Sequence, residues 1–318
     1  MEPASHRPDG ATRIAVVDMG TNSTRLLVAD VVDGRLGEVE RRTRVTGLGR
    51  GVDLSGQLSS DAIEEVCETV GEYIQGYESL GADRVVAIAT SAVRDAQNAD
   101  AFLAELRERF ALDSRILDGE EEARLTYRGA CCERRDVDGT LVVDIGGGSS
   151  ELIVGSGPEV IFWASLQIGT VRHTERYLTS DPPEAAQLEA LSGDVRGVID
   201  AELPPPERPG VSLGVAVAGT PTTLAAVDLH LDPYDPQAVH GYRLPLSSIQ
   251  RMCSELSSIP LPERREVPGM HPGRAPTIVA GIVILIQVMR AFSLSEVEVS
   301  EHDILYGAAL EAAPAPVS

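Results

Sequence analysis

A strand ending in aspartate, a glycine turn and a second strand occur twice in this chain. The segment Val16-Val17-Asp18-Met19-Gly20-Thr21-Asn22-Ser23-Thr24-Arg25-Leu26-Leu27-Val28 is echoed by Val142-Val143-Asp144-Ile145-Gly146-Gly147-Gly148-Ser149-Ser150-Glu151-Leu152-Ile153-Val154. In each copy apolar residues run up to the Asp, a Gly-rich turn follows, and apolar residues resume at once, which reads as strand, hairpin, strand. P-loop and Rossmann turns run from strand into helix, so those nucleotide folds are disfavoured. All 27 basic residues are Arg, with no Lys, which removes a Walker lysine, a Schiff-base lysine and a lysine general base. A repeat of this kind within 318 residues predicts two related α/β domains.

The intervening sequence fits layered α/β units. Asp61 with Glu64 is expected to open a helix whose Ile63, Val66, Val70, Ile74 and Tyr77 share a face. Val85 to Ala89 reads as a buried strand, Phe102, Leu103, Leu106 and Phe110 as an amphipathic helix, and Arg115 to Leu117 as a short strand before an Asp118-Gly119 turn. In the second half a helix is expected from about Glu184 to Ala201, a loop from Pro204 to Gly210, and a strand from Val211 to Val217 that enters a Gly/Thr turn at Ala218-Gly219-Thr220-Pro221-Thr222-Thr223. The apolar run Thr277 to Met289 is too short to cross a bilayer and contains Gln287, so it reads as a buried helix. Met1 to Arg13 and Ala312 to Ser318 read as loose ends. The start has no apolar signal core and Cys67, Cys131, Cys132 and Cys253 have no CxxC spacing, so a reducing cytoplasm is the expected location, with no membrane partner.

A net charge of −22 argues against a general nucleic-acid binder, duplex DNA or RNA included, and requires a polyanion to meet local cations or a metal. The glycine turns let backbone N–H groups approach an anion, and Thr21, Ser23, Ser149 and Ser150 add hydroxyls. One Asp-Gly turn merely closes a hairpin; two in the same register point to a site. Asp18 and Asp144 would repel phosphate unless Mg²⁺ or its waters lie between, and Glu151 is a third candidate ligand. Arg94 follows a buried strand through a short turn, which carries its guanidinium to the strand's carboxyl end, and Arg25 is similarly placed. Arg41, Arg42, Arg44 and Arg50 form a dense basic stretch, open to two readings: a guide for a polyanion or a charged strand edge. Glu121 and Glu122 both lie on the Leu125 side of a helix, so periodicity leaves open which one points inward. His271 and His302 belong to no metal-binding spacing, and Trp163 and the tyrosines are too scattered for a stacking platform.

Five motifs stand in order along the chain: Asp18 to Ser23, Ala89 to Asn98, Gly119 to Arg124, Asp144 to Glu151, and Ala218 to Ala225. Together they resemble the successive signatures of the exopolyphosphatase / guanosine pentaphosphate phosphatase (Ppx/GppA) family, within the actin and heat-shock-chaperone ATPase superfamily. The resemblance implies two ribonuclease H-like α/β domains flanking a cleft, with residues 1–125 completed by a C-terminal helix in 302–318, and 126–301 as the second domain. It places the catalytic Glu on Glu122, which precedes the small residue and Arg. It implies substrate contacts from Gly20, Thr21, Asn22, Ser23, Arg25, Arg94, Gly146, Gly147, Gly148, Ser149 and Thr220, and Mg²⁺ or Mn²⁺ on Asp18, Asp144 and Glu151.

The implied activity is metal-dependent release of terminal orthophosphate from inorganic polyphosphate, or of the 5′ γ-phosphate from pppGpp, with Glu122 activating water. Thr21 stands where the family more commonly has Ser. The additional C-terminal domains of long members are not expected, which favours shorter polyphosphate or pppGpp. A small-molecule kinase of the same superfamily and a non-catalytic alarmone or polyphosphate sensor remain as alternatives, and a homodimer is left open.

Overall fold

The computed structural model describes residues 7–134, 138–204 and 208–314. The first half runs β1 (Thr12–Met19), β2 (Thr24–Val32), β3 (Arg35–Arg44), α1 (Val52–Ser55), α2 (Ser60–Ser79), β4 (Arg84–Ala89), α3 (Ser91–Asp95), α4 (Ala99–Phe110), β5 (Ser114–Ile116) and α5 (Gly119–Ala130). The second half runs β6 (Asp138–Ile145), β7 (Ser150–Ser156), β8 (Glu159–Leu166), α6 (Thr170–Tyr177), α7 (Ala185–Glu202), β9 (Leu213–Val217), α8 (Gly219–Asp228), α9 (Pro236–Val239), β10 (Arg243–Pro245), α10 (Leu246–Ser258), α11 (Leu261–Arg265), α12 (Ile278–Ala291), β11 (Glu296–Val299) and α13 (Ile304–Ala312). The chain divides into two compact units, Met1–Gly129 with Ile304–Ser318, and Ala130–Asp303.

In unit 1 the described strands form a mixed sheet of order β3-β2-β1-β4-β5, with β1 antiparallel to β2 and parallel to β4. β1 is buried at nearly every position because both of its faces are covered. Ala15, Val17 and Met19 join Val66, Val70 and Tyr77 of α2 and Phe102 and Leu106 of α4 in one core. α13 packs against β1, β2, β3 and β4, so the last helix of the chain completes the first unit. It also seats on α5: a Cβ added at Gly307 would lie 1.8 Å from the Leu125 carbonyl oxygen.

Unit 2 repeats this plan with a sheet of order β10-β11-β9-β6-β7-β8. β6 is antiparallel to β7 and parallel to β9, as β1 is to β2 and β4. The duplication extends to the irregularities, since β2 and β3 slip register between Val28 and Ala29, and β7 and β8 between Val154 and Gly155. α12 is buried from Ile278 to Met289 and packs against α7, α10 and α6, as expected for a helix apolar on all sides. Gln287 is satisfied by donating to Ser192 Oγ at 2.9 Å.

Several sequence expectations need correction. α2 starts earlier than Asp61, because Ser59 caps it by accepting from the Ala62 amide. Val85 is 41% exposed, since β5 pairs only with Ala87 to Ala89 and leaves the start of β4 with a neighbour on one side. Of the supposed loose start, Met1 to His6 lie outside the described residues, whereas Arg13 is buried in β1. Its guanidinium meets Asp30 directly across the hairpin, at 2.8 and 2.7 Å. Ala312 is likewise held, its carbonyl accepting from Arg84 at 2.7 Å, and residues 315–318 lie outside the description. Parts of the expected 204–210 loop, residues 205–207, are also outside it.

Gly307→Ala should destabilise the protein by at least about 2 kcal/mol in urea or thermal unfolding, because the methyl group meets backbone that can yield only by moving α13 off α5. Wild-type stability in that variant would mean that the two helices do not approach this closely.

Candidate active site

In unit 1 the site is built at the carboxyl end of β1. The Gly20 amide donates to Ser23 O at 3.0 Å and closes the turn. The loop is then clamped from outside: Thr21 O accepts from the Gly49 amide at 2.8 Å, Asn22 O from Gly47 at 2.9 Å, and Thr21 Oγ1 from Ala92 of α3 at 3.1 Å. Asp18 and Arg25 are directly opposed across the hairpin, and Arg25 donates Nε and Nη2 to Asp18 Oδ2 at 2.8 and 2.6 Å.

Local capping decides between the two glutamates. The Glu121 amide donates to Asp118 Oδ1 at 2.8 Å, which starts α5 at the residues expected to form a turn. That start turns the Glu121 side chain to the surface, where it pairs with Arg115 and stays 36% exposed. Glu122 points inward and is 7% exposed. Arg94, on α3, donates Nη1 to Glu122 Oε2 at 2.9 Å and to Leu117 O at 2.9 Å, so one guanidinium fixes both the carboxylate and the strand end before it. Burial pushes the Glu122 carboxyl above its ordinary value, Arg94 pulls it back, and the nearby Asp18 charge raises it again while Arg25 opposes. Glu122, Arg94, Asp18 and Arg25 therefore share one electrostatic environment, although they come from four elements.

In unit 2 the Gly146 amide closes the turn on Ser149 O at 3.0 Å, the same bond as in unit 1. Here the start of α6 supplies the clamp. Gly146 O accepts from the Thr170 amide and Gly147 O from Val171, each at 2.9 Å, and Gly148 O accepts from Arg172 Nε at 2.8 Å. A trans peptide sets N–H opposite C=O, so with these carbonyls turned to α6 the amides of Gly147, Gly148 and Ser149 face the other way. The close approach needs Gly169, where an added Cβ would come within 2.3 Å of Gly147 O.

The two hairpins differ at the residue opposite the strand-terminal Asp. Asp144 is paired across the ladder with Glu151, and Glu151 with Ser165, whose hydroxyl donates to Glu151 Oε1 at 2.8 Å. Asp144 and Glu151 are both buried, 7% and 1% exposed, on the same face of the sheet. Two buried carboxylates side by side make an all-oxygen donor set that suits a hard divalent cation such as Mg²⁺. Asp18 fits that role less well, because Arg25 already places a positive charge on it.

Most of the residues expected from the sequence are thus gathered: Asp18, Gly20 to Ser23, Arg25, Arg94 and Glu122 in unit 1, and Asp144, Gly146 to Ser149 and Glu151 in unit 2. Thr220 follows β9, whose Val217 pairs with Asp144. It lies in the first turn of α8, which replaces the expected Gly/Thr turn, and its hydroxyl is buried against Gly281 of α12. Of the basic stretch, Arg41 lies beside Glu38, Arg42 on Glu40 and Arg44 on Glu72 of α2, so three of its four arginines are paired with carboxylates. Arg172, Ser165 and Arg274 were not legible in the sequence. Arg274 holds the start of α8 through Gly219 O at 2.9 Å, from a segment with no motif of its own.

The model of the Ppx/GppA phosphatase family matches residues 27–312. The chain belongs to that family. Exopolyphosphatase 2 of Mycobacterium tuberculosis is 36% identical over 316 residues, which cover 95% of this chain and 99% of that protein. A guanosine-5'-triphosphate,3'-diphosphate pyrophosphatase of Photobacterium profundum is 28% identical over 280 residues, covering 88% of this chain and 55% of its own length. The crystal structure of the Aquifex aeolicus Ppx/GppA family member matches with a TM-score of 0.80 at 33% identity, over 95% of this chain and 97% of that one. This Ppx/GppA chain thus has two α/β units of the ribonuclease H-like kind. Among the described residues no helix is long and apolar enough to cross a membrane.

Gly169→Ala should weaken orthophosphate binding at least about tenfold in calorimetry, because the methyl group displaces the glycine loop from α6. Gly193→Ala, with nothing within 4 Å of the added carbon, serves as the silent control.

Proposed function

We propose that this chain is a metal-dependent exopolyphosphatase that removes terminal orthophosphate from inorganic polyphosphate, with the 5′ γ-phosphate of pppGpp as a secondary substrate. The observation that carries this reading is Glu122, a buried carboxylate with a raised proton affinity held at 2.9 Å by Arg94. A carboxylate of raised pKa accepts a proton from water more readily than an ordinary surface glutamate. Arg94 holds it in one orientation, and Arg25 keeps the Asp18 charge from repelling an anion. The amides of Gly147, Gly148 and Ser149 are suited to the phosphoryl oxygens as negative charge spreads over them.

Asp144 and Glu151 would hold Mg²⁺ or Mn²⁺, which when bound neutralises phosphate charge. Ser165 orients Glu151 for that task. Polyphosphate is placed first because the mycobacterial exopolyphosphatase is 36% identical to this chain and the guanosine-directed relative 28%. A cytoplasmic setting is part of the same proposal.

Glu122→Ala should retain polyphosphate affinity within about tenfold and lower phosphate release at least about 10²-fold on short polyphosphate. In wild type kcat/KM should fall as pH drops through the Glu122 pKa, at a pH above the ordinary glutamate range, because the base must be ionised and burial raises its pKa. Undiminished turnover in the variant, or an acidic limb that survives in it, removes Glu122 from the mechanism. Asp144→Ala should raise the Mg²⁺ concentration for half-maximal turnover and weaken Mg²⁺ binding measured directly by calorimetry. A normal metal response would make that carboxylate structural. Comparing short polyphosphate, long polyphosphate and pppGpp in one phosphate-release assay ranks the substrates.

A further inference from the structure

Unit 2 contains a second cluster of ligating side chains that the phosphatase chemistry does not use. Glu133 follows α5, His240 follows α9, and His302 lies in the turn after β11. Backbone pairing gathers them: the Gly241 amide donates to Val299 O and the Val299 amide to Tyr242 O, each at 2.8 Å. Arg134, next to Glu133, reaches Glu298 of β11 at 3.0 Å through Nε. His240 Nε2 then lies 3.7 Å from Glu133 Oε2, and the His240 and His302 rings stack with centroids 4.2 Å apart. One ligating atom from each of Glu133, His240 and His302 falls within 4.8 Å of the others. The Cys132 thiol sits 3.7 Å from His302 Nδ1.

We propose that Glu133, His240 and His302 form a binding site for one divalent cation of the zinc class, separate from the oxygen-only Asp144 and Glu151 pair. Two imidazoles and one carboxylate are a donor set for zinc and its neighbours, whereas Mg²⁺ takes oxygen ligands. A tetrahedral site with bonds of about 2.0–2.1 Å spaces its ligand atoms roughly 3.4 Å apart, close to the His240 to Glu133 separation. Glu133, with its side chain 64% exposed, can make the remaining adjustment. Without metal, His240 Nδ1 accepts from the Glu301 amide at 3.2 Å, so Nε2 carries the ring proton toward Glu133. Metal binding through Nε2 moves that proton to Nδ1 and gives up the part-buried Glu301 bond, one hydrogen bond exchanged for three metal bonds. A cation there would tie the first residues of unit 2 to its last.

The test is calorimetric titration of metal-stripped full-length protein with ZnCl₂ in excess Mg²⁺. Wild type should bind one equivalent, with a dissociation constant of about 1 μM or tighter. His302→Ala and Glu133→Gln should each weaken binding at least about 10²-fold, as loss of a direct ligand requires. Asp144→Asn should leave it unchanged. Zn²⁺ should raise the melting temperature of wild type and not of Glu133→Gln, whose exposed substitution spares the fold. Absence of stoichiometric binding in wild type, its retention in either ligand variant, or its loss in Asp144→Asn overturns the assignment. None of these outcomes depends on phosphatase turnover.

Discussion

Each hairpin's character depends on what faces the aspartate at the end of its first strand. Across an antiparallel ladder that residue is held a few ångströms away, so its charge dictates the local demand. In unit 1 it is Arg25, and Asp18 is neutralised within the protein. In unit 2 it is Glu151, and two buried carboxylates stand together. The same backbone therefore carries a charge-compensated carboxylate beside the glycine turn in one unit and a pair of carboxylates beside it in the other. The two units share the strands, the turn bond and even the bulge, and differ in the side chain that faces the aspartate.

Glu122 depends on the same economy of charge. Burial pushes the proton affinity of its carboxyl up, and Arg94 pulls it back down. The combination leaves a carboxylate with one fixed partner and a raised proton affinity, which is what a general base requires. Its orientation rests on the start of α5 at Asp118 and on the seat that Gly307 of α13 makes against Leu125. A residue late in the chain thus supports the helix that carries the candidate base.

Much of this was readable in advance, for a local reason. Hairpins, turn glycines and the Asp at each strand end are set by neighbours in sequence, so both loops were visible as repeats. The choice of Glu122 over Glu121 came from the family resemblance and not from helix periodicity. Both lie on the same side by periodicity, and only the Asp118 cap and the placement of Arg94 turn one outward and the other inward. Thr220 illustrates the opposite case: a motif position whose side chain packs against α12 because Gly281 leaves room for it.

The amino-acid sequence by itself determined the duplicated strand-turn-strand plan, the exclusion of lysine chemistry and the family, since all of these reside in residue identity and short spacing. Tertiary structure alone decided the clamping of the glycine loop by Gly169 and Arg172, the hold of Ser165 on Glu151, and the meeting of Glu133, His240 and His302. Those contacts join residues from separate elements. Strand order and helix packing, rather than any pattern along the chain, bring them within bonding distance.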